Sequence, residues 1–563
     1  MTNIFRHERT AFVLFVVATI IIFSGIGLRD AWPPDEPRFA LVAKEMVTSG
    51  QWLIPMRGGE LYPDKPPVFM WSIAVFYLLT GSLSVAMLLP NAIASLITLT
   101  VTYRLSRALA DERAAIMSML LLLLSPQFLI QAKFAQIDAL VACCVWIGVY
   151  GFVRHFCIAE SWRCYFIAWG AMGLGIITKG VGFLPLFILV PLSFLAIKKQ
   201  LPTTRWKKRA LLGPLIMLSI VLAWLGPVLY LGAYKQDPII QQYLSNILLK
   251  QTAQRYANAW HHIEPWYYYI IEVIPLFWFP SLMVLAVKRK QIKRVLMKNP
   301  AYFALAIWVV LVVVFFSFSP GKRGVYILPS LPAVAMIAGL LLSRGGVSKT
   351  ISVFARSVTL LISLGAIAAA AVLMFNEQTV SALMLRFHST LSMITTLGAI
   401  CFLVGIMGLS TQFLNFSKHL ILWLVVTTVV PSTIGVWVLN DLRTPTQLLM
   451  RVQTQSNIIS PDINILDVGI VSFKEQYLLF APFPVTHFGY HTEKDRENGT
   501  AWTWLKAQPT RFLLAPKDYL FQCVDLDRAV SLGFAHRDEW LLIPSTAADV
   551  ECKLLSDGPI YRS

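Results

Sequence analysis

Thirteen apolar runs occupy most of the first 439 residues: 11–28, 84–103, 114–130, 139–156, 165–178, 182–197, 210–231, 267–287, 301–319, 325–342, 358–375, 393–409 and 420–439. A helix rises about 1.5 Å per residue, and crossing the hydrocarbon core of a bilayer takes about 20 apolar residues. The runs are therefore expected as membrane spans. Composition agrees: 56% of the 563 residues are hydrophobic and 14% are charged, against roughly a quarter charged in an ordinary soluble domain. The first run follows Arg6 and Arg9 and has no small-residue cleavage pattern after it, so it reads as a retained span, not a signal peptide.

A fourteenth apolar stretch, 67–81, is short and begins with two prolines. Charge decides its place. If it lies along the outer surface, five basic loops, at 104–113, 154–163, 198–209, 288–298 and 344–349, fall on one side. If it spans, most of them change sides. The bias of Lys and Arg toward the cytoplasm favours the first arrangement. It gives about thirteen spans, the N-terminus inside and the C-terminus outside. The net charge of +18 is thus an orientation signal, and nucleic acid is not an expected partner.

The expected organisation is a transmembrane domain over 1–439 and a small soluble α/β domain over 440–563. The tail has short apolar stretches at 463–471, 512–515 and 540–543 among polar segments. Outer loops lie at 29–82, with surface helices, and at 232–266. Cys143, Cys144, Cys157, Cys164 and Cys401 lie in or near spans and read as small apolar residues. Cys523 and Cys552 lie in the tail and could pair in an oxidising compartment. Asn498-Gly-Thr matches a glycosylation sequon, a common pattern.

Charge at membrane depth is costly and is usually paired or functional. In Trp32-Pro-Pro-Asp35-Glu36-Pro-Arg38, two carboxylates stand beside an arginine just past the first span. Either carboxylate could serve as a general base or hold a metal, and Arg38 could bind phosphate. Equally, acidic residues suit the first turn of a helix. Asp64 and Lys65 stand among prolines, where Lys65 reads either as a phosphate cation or as an interfacial residue. Asp138 opens a span and could be an N-cap. Lys179, Lys322 and Arg323 are basic on the outer side, which suits an anionic headgroup. His261, His262 and Glu264 could hold a divalent ion or could belong to an interfacial belt. No Walker loop, dinucleotide fingerprint or serine-hydrolase elbow stands in a credible context, so no nucleotide cofactor is expected.

Taken together, Asp35-Glu36-Pro-Arg38-Phe39, Glu45 to Pro55, Asp64-Lys65-Pro-Pro, Ile137-Asp138, Thr178-Lys179-Gly180, Arg255 through His262-Ile-Glu-Pro-Trp, and Ser319-Pro-Gly-Lys322-Arg-Gly-Val-Tyr326 resemble, in order, the motifs of GT-C superfamily lipid-linked glycosyltransferases. These include the aminoarabinose transferases of lipid A and the protein mannosyltransferases. The likeness covers about the first 340 residues. It implies a polytopic α-helical membrane protein of GT-C type in a bacterial inner membrane, with periplasmic juxtamembrane helices. It also implies a polyprenyl-phosphate-sugar donor and an acceptor such as lipid A, a protein or another envelope glycan.

Carried over by motif, Asp35 and Asp138 are the catalytic candidates. Lys65, Arg38, Arg255, Tyr326, Lys322 and Lys179 would hold the donor phosphate, and Asp64 and His262 a divalent metal ion. The chain departs from the aminoarabinose transferases at Asp64, where they carry Glu, at Pro37, where they carry Thr, and in the turn from Pro320 to Val325. A flippase or transporter is the reading of another class, but the two matching halves it usually shows are not evident.

Overall fold

The computed structural model describes residues 2–202, 207–248, 262–387, 389–459, 466–519, 524–535, 538–549, 552 and 554–562. The apolar runs fall on helices. Eight of these helices, among the described residues, are long and apolar enough to cross a membrane: Leu83–Leu109, Ile137–Ile158, Lys208–Tyr234, Pro300–Phe318, Gly324–Gly345, Lys349–Phe375, Leu391–Phe413 and Phe416–Arg443. Two further pairs, Glu112–Leu123 with Pro126–Lys133 and Tyr269–Phe277 with Ser281–Val287, are bent by 66° and 102°. Pro126 and Pro280 stand at these breaks, where a missing N–H and a ring clash stop regular helix.

Basic loops meet in pairs: Lys288 Nζ donates to Gly345 O at 3.2 Å and Lys207 Nζ meets Glu160 Oε1 at 2.6 Å. The first loop, the start of the helix Ile137–Val153, the turn after Pro300–Phe318, and the tail lie together at one end of the bundle. The stretch 67–81 forms the helix Val68–Thr80, closed by Gly81 in the left-handed conformation. Its thirteen residues reach only about 20 Å, too short for a bilayer core of about 30 Å. Phe69, Met70, Ile73 and Ala74 are buried, and Phe69 meets Phe39 of the helix Glu36–Ser49 edge-on at 5.1 Å.

The first loop also carries a hairpin, β1 (Met56–Arg57) and β2 (Glu60–Leu61). The tail contains β3 (Asp467–Ile470), β4 (Val485–His487), β5 (Arg511–Pro516), β6 (Val530–Ala535), β7 (Asp538–Pro544) and β8 (Tyr561–Arg562). They form one sheet in the order β6-β7-β5-β3-β4-β8, with β3 parallel to β4 and β5 and the other pairs antiparallel. Side chains alternate across a strand, and β5 uses both faces. Leu513 and Ala515 pack under the helix Lys494–Lys506 through Ala501, Trp504 and Leu505. Phe512 and Leu514 face a core that also contains Phe39, Val42, Tyr62 and Ile73 of the first loop. The tail is therefore packed on the first loop through apolar surface. Asn498 lies inside the helix Lys494–Lys506 at 2% exposure, which removes the sequon as an accessible acceptor. Cys552 is disulfide-bonded, and Cys523 lies outside the described residues.

Candidate functional site

The geometry separates the two adjacent carboxylates, which residue chemistry alone left open and the resemblance resolved in favour of Asp35. Glu36, in the first turn of the helix Glu36–Ser49, is 2% exposed. Its carboxylate forms a two-pronged ion pair with Arg29, with Nη2 to Oε1 at 2.7 Å, and accepts from Trp32 N at 2.8 Å and Ala135 N at 2.9 Å. A buried charge needs this many partners, and they occupy both oxygens. Glu36 therefore ties the first loop to the segment before Asp138. Asp35 occupies the N-cap position but caps nothing. Its Oδ2 instead receives Arg323 Nη2 at 3.4 Å and Gln136 Nε2 at 3.3 Å.

A second pair stands beside it. Asp138, in the first turn of the helix Ile137–Val153, is ion-paired with Lys179, in the last turn of Trp162–Lys179. Each charge sits where its helix dipole favours it, and both are largely buried. Lys179 Nζ also lies 4.8 Å from the centroid of the Tyr326 ring. Burial works against the charge of Arg323, but Asp35, Asp138 and the bond to Asp35 outweigh it and hold its pKa above the ordinary value. Asp35, Asp138, Lys179 and Tyr326 are thus brought together as expected. Arg323, which stood out in the sequence only as an outer cation suited to a headgroup, joins them, as does Gln136, which was not an expected site residue.

Other cations have different partners. Arg38 Nε meets Glu475 of the tail at 3.0 Å, and Arg57 Nη1 reaches the same carboxylate oxygen at 3.3 Å. Arg38 is therefore engaged with the tail in this state. Its pKa is raised: desolvation opposes the charge, but Tyr62 and Glu475 more than offset it. Lys322, at 4% exposure, donates from Nζ to Glu264 O at 2.6 Å and from its backbone to His262 O at 2.8 Å. It holds the segment after residue 261 against the turn from Ser319, and burial lowers its pKa. Lys65 is half-buried, with Nζ 3.1 Å from Asp64 O and its carbonyl accepting from Tyr243 Oη at 3.2 Å.

Arg255 and His261 lie outside the described residues. His262 is exposed, at φ +57°. Among the described residues no three His, Cys, Asp or Glu side chains group to hold a metal. Asp64 and His262 would thus supply two ligands at most, short of the three that a catalytic zinc site commonly takes from protein.

The contact between first loop and tail is built around Glu475 and His487. His487 Nε2 donates to Gly58 O at 2.6 Å, and its Nδ1 accepts from Gly489 N at 3.3 Å. Those two bonds fix the neutral ring with the proton on Nε2. Burial depresses the His487 pKa to about 4. Glu45 holds the hairpin turn from the other side, accepting from Gly58 N at 2.6 Å and Gly59 N at 3.3 Å. Burial raises its pKa.

Fold and site together define a multi-pass membrane protein with two facing carboxylate–cation pairs at one end of its helix bundle. The family model described as dolichyl-phosphate-mannose-protein mannosyltransferase matches residues 64–224. A curated relative, undecaprenyl phosphate-alpha-4-amino-4-deoxy-L-arabinose arabinosyl transferase 1 of Pseudomonas fluorescens, is 28% identical over 349 residues, which are 60% of this chain and 60% of the relative. The chain thus spans about 60% of the length of the curated relatives it matches. The structure is similar to ArnT from Cupriavidus metallidurans in the apo state, with a TM-score of 0.72 at 20% identity, covering 97% of this chain and 100% of the other. The same protein bound to undecaprenyl phosphate matches at 0.71 and 20% identity, over 94% and 97%. The fold is that of ArnT from Cupriavidus metallidurans, and the chain is similar in sequence to the aminoarabinose transferases.

Proposed function

We propose that this chain transfers a sugar from a polyprenyl-phosphate carrier to an acceptor on the periplasmic face of a bacterial inner membrane. The observation that carries the reading is the convergence of Asp35 with Arg323 and of Asp138 with Lys179 and Tyr326 at one end of the bundle. The names of the relatives support the donor class: one is an undecaprenyl-phosphate aminoarabinose transferase and one structure holds undecaprenyl phosphate. The bundle would cross the membrane thirteen times, through the eight long helices, the two bent pairs, and the helices Thr2–Phe23, Trp162–Lys179 and Val181–Ile197, with Val68–Thr80 on the outer surface. The N-terminus would be cytoplasmic, and residues 440–563 a periplasmic α/β domain.

In this reading the carrier's phosphate sits among Lys65, Arg38, Arg255, Tyr326, Lys322 and Lys179, and Arg38 exchanges Glu475 for the phosphate. Cations placed where the leaving phosphate gains charge stabilise the transition state more than the ground state. Asp35 works on the acceptor side. A hydroxyl acceptor would give it a proton; a lipid A phosphate, already anionic, would need only to be oriented. Lipid A is the acceptor that the resemblance to the aminoarabinose transferases implies. A protein hydroxyl is the second reading, favoured by the description of the matching family model. A divalent ion, where bound, would be held by Asp64 and His262 and would supply positive charge to the donor phosphate. Transfer undiminished by a chelator would remove it.

The test is transfer from a labelled polyprenyl-phosphate sugar in membranes carrying the wild type or Asp35→Asn. The proposal expects transfer by the wild type and its loss in the variant. Equal transfer by the two would remove Asp35 from the chemistry.

A further inference from the structure

Asp35 has two oxygens, and the structure treats them differently. Both side-chain donors that reach it, Arg323 Nη2 at 3.4 Å and Gln136 Nε2 at 3.3 Å, meet Oδ2. Among the described residues nothing bonds Oδ1. We propose that Arg323 and Gln136 are positioning residues: they hold Oδ2, fix the plane of the carboxylate, and leave Oδ1 as the oxygen that meets the acceptor. This rests on the assignment of Asp35 to the acceptor side.

Both donors are mounted on backbone that is already fixed. Asn91 Nδ2 donates to Phe134 O and Gln136 O, each at 2.6 Å. Glu36 accepts from Ala135 N, and Arg29 donates to Lys133 O at 3.2 Å. The segment before Asp138 is thereby held on three sides. Gln136 Oε1 in turn accepts from Gln131 Nε2 at 2.7 Å, which sets the amide so that Nε2 faces Asp35. Arg323 lies in a turn held by Tyr269 Oη to Arg323 O at 3.4 Å and by Gln127 Nε2 to Gly324 O at 2.6 Å. A reacting group is useful when its supports are set before the substrate arrives. The two donors come from sequence positions 101 and 288 residues away from Asp35. A merely local helix start would not need them.

The test compares kcat and KM for Arg323→Ala, Arg323→Lys and Gln136→Ala, with free guanidinium added to the alanine variant. Misplacing a reacting group by about 1 Å costs on the order of 100-fold, so Arg323→Ala should lose about that much kcat while KM for the donor stays within about twofold. Guanidinium should restore part of the loss, and methylammonium less. Arg323→Lys should fall between the two and guards against misfolding of the alanine variant. Gln136→Ala should lose kcat in the same sense by a smaller factor. A raised donor KM at unchanged kcat would overturn the proposal, since Arg323 would then be binding the donor. So would unchanged kinetics in Arg323→Ala, or a loss that guanidinium does not touch. If Asp35→Asn is inactive while Arg323→Ala and Gln136→Ala are normal, this inference fails and the proposed function stands. If Asp35→Asn is fully active, the assignment beneath it has failed.

Discussion

Replacing Glu475 by Gln should loosen the tail from the first loop without unfolding the bundle. Glu475 is the shared anion for Arg57, whose side chain is 2% exposed, and Arg38, at 24%. Removing one partner of a buried pair costs about 3–5 kcal/mol, because the other charge is left unmatched. Several factors reduce that figure here. Arg57 keeps the face of Tyr490 at 3.6 Å, a contact worth roughly 2 kcal/mol when dry. Arg38 is partly solvated, which screens its charge. Glutamine keeps an acceptor oxygen. We expect a net loss of about 2 kcal/mol in docking, which is about 30-fold in the docked-to-free ratio. Hydrogen exchange reads it directly. The amides of Gly58 and Gly59, which donate to Glu45, and those of β4 should exchange about 30-fold faster, while the helix Gly324–Gly345 stays protected. Exchange within twofold of wild type would refute the reasoning. Adding Arg57→Met to the variant should recover part of the loss, because the orphaned cation is then gone.

Lowering the pH should weaken the same contact through His487. Its docked pKa of about 4 lies below the ordinary 6.5, so the free state takes up the proton first. Docking is then fully stable above about pH 6.5 and loses up to about 3 kcal/mol as pH falls toward 4. His487→Asn should remove that dependence, and a docked fraction constant from pH 7 to 4.5 in the wild type would contradict it. Gly58→Ala should also undock the tail: Gly58 has φ +65° and an added Cβ would lie 2.6 Å from His487 Nε2. The left-handed backbone alone costs about 1–2 kcal/mol, visible as faster proteolysis of the tail. Asp138→Asn and Lys179→Met should each destabilise by about 3 kcal/mol as a broken buried pair. The double variant should regain stability in thermal unfolding but not transfer activity; recovery of both would make the pair purely structural.

The apolar runs were legible because a span must satisfy its backbone within one helix, and that requirement is written locally in hydropathy. That Val68–Thr80 is a helix too short to span followed from its length. The motifs also ordered Asp35, Asp138, Lys179 and Tyr326 correctly into one region. The residue types alone could not choose between Asp35 and Glu36, and only the resemblance pointed to Asp35; the physical distinction is made by Arg29 and by Ala135 N, 99 residues away. Arg29, a cation just outside the first span, was the signal that a buried carboxylate would need it. The pairing of Arg38 with Glu475, 437 residues on, was not legible, because Glu475 has no motif to announce it. Lys322 and Arg323 are adjacent and both stood out as outer cations. Only packing shows that Lys322 turns to backbone carbonyls and Arg323 to Asp35.

The central claim is that the bundle moves a sugar and releases its carrier's phosphate. The direct measurement is mass spectrometry of purified wild-type protein in vesicles with a defined polyprenyl-phosphate sugar and lipid A. The account predicts one polyprenyl phosphate freed for each acceptor that gains the sugar's mass, and neither product with Asp35→Asn. Carrier that crosses the bilayer with its sugar still attached, and acceptor of unchanged mass, would contradict it.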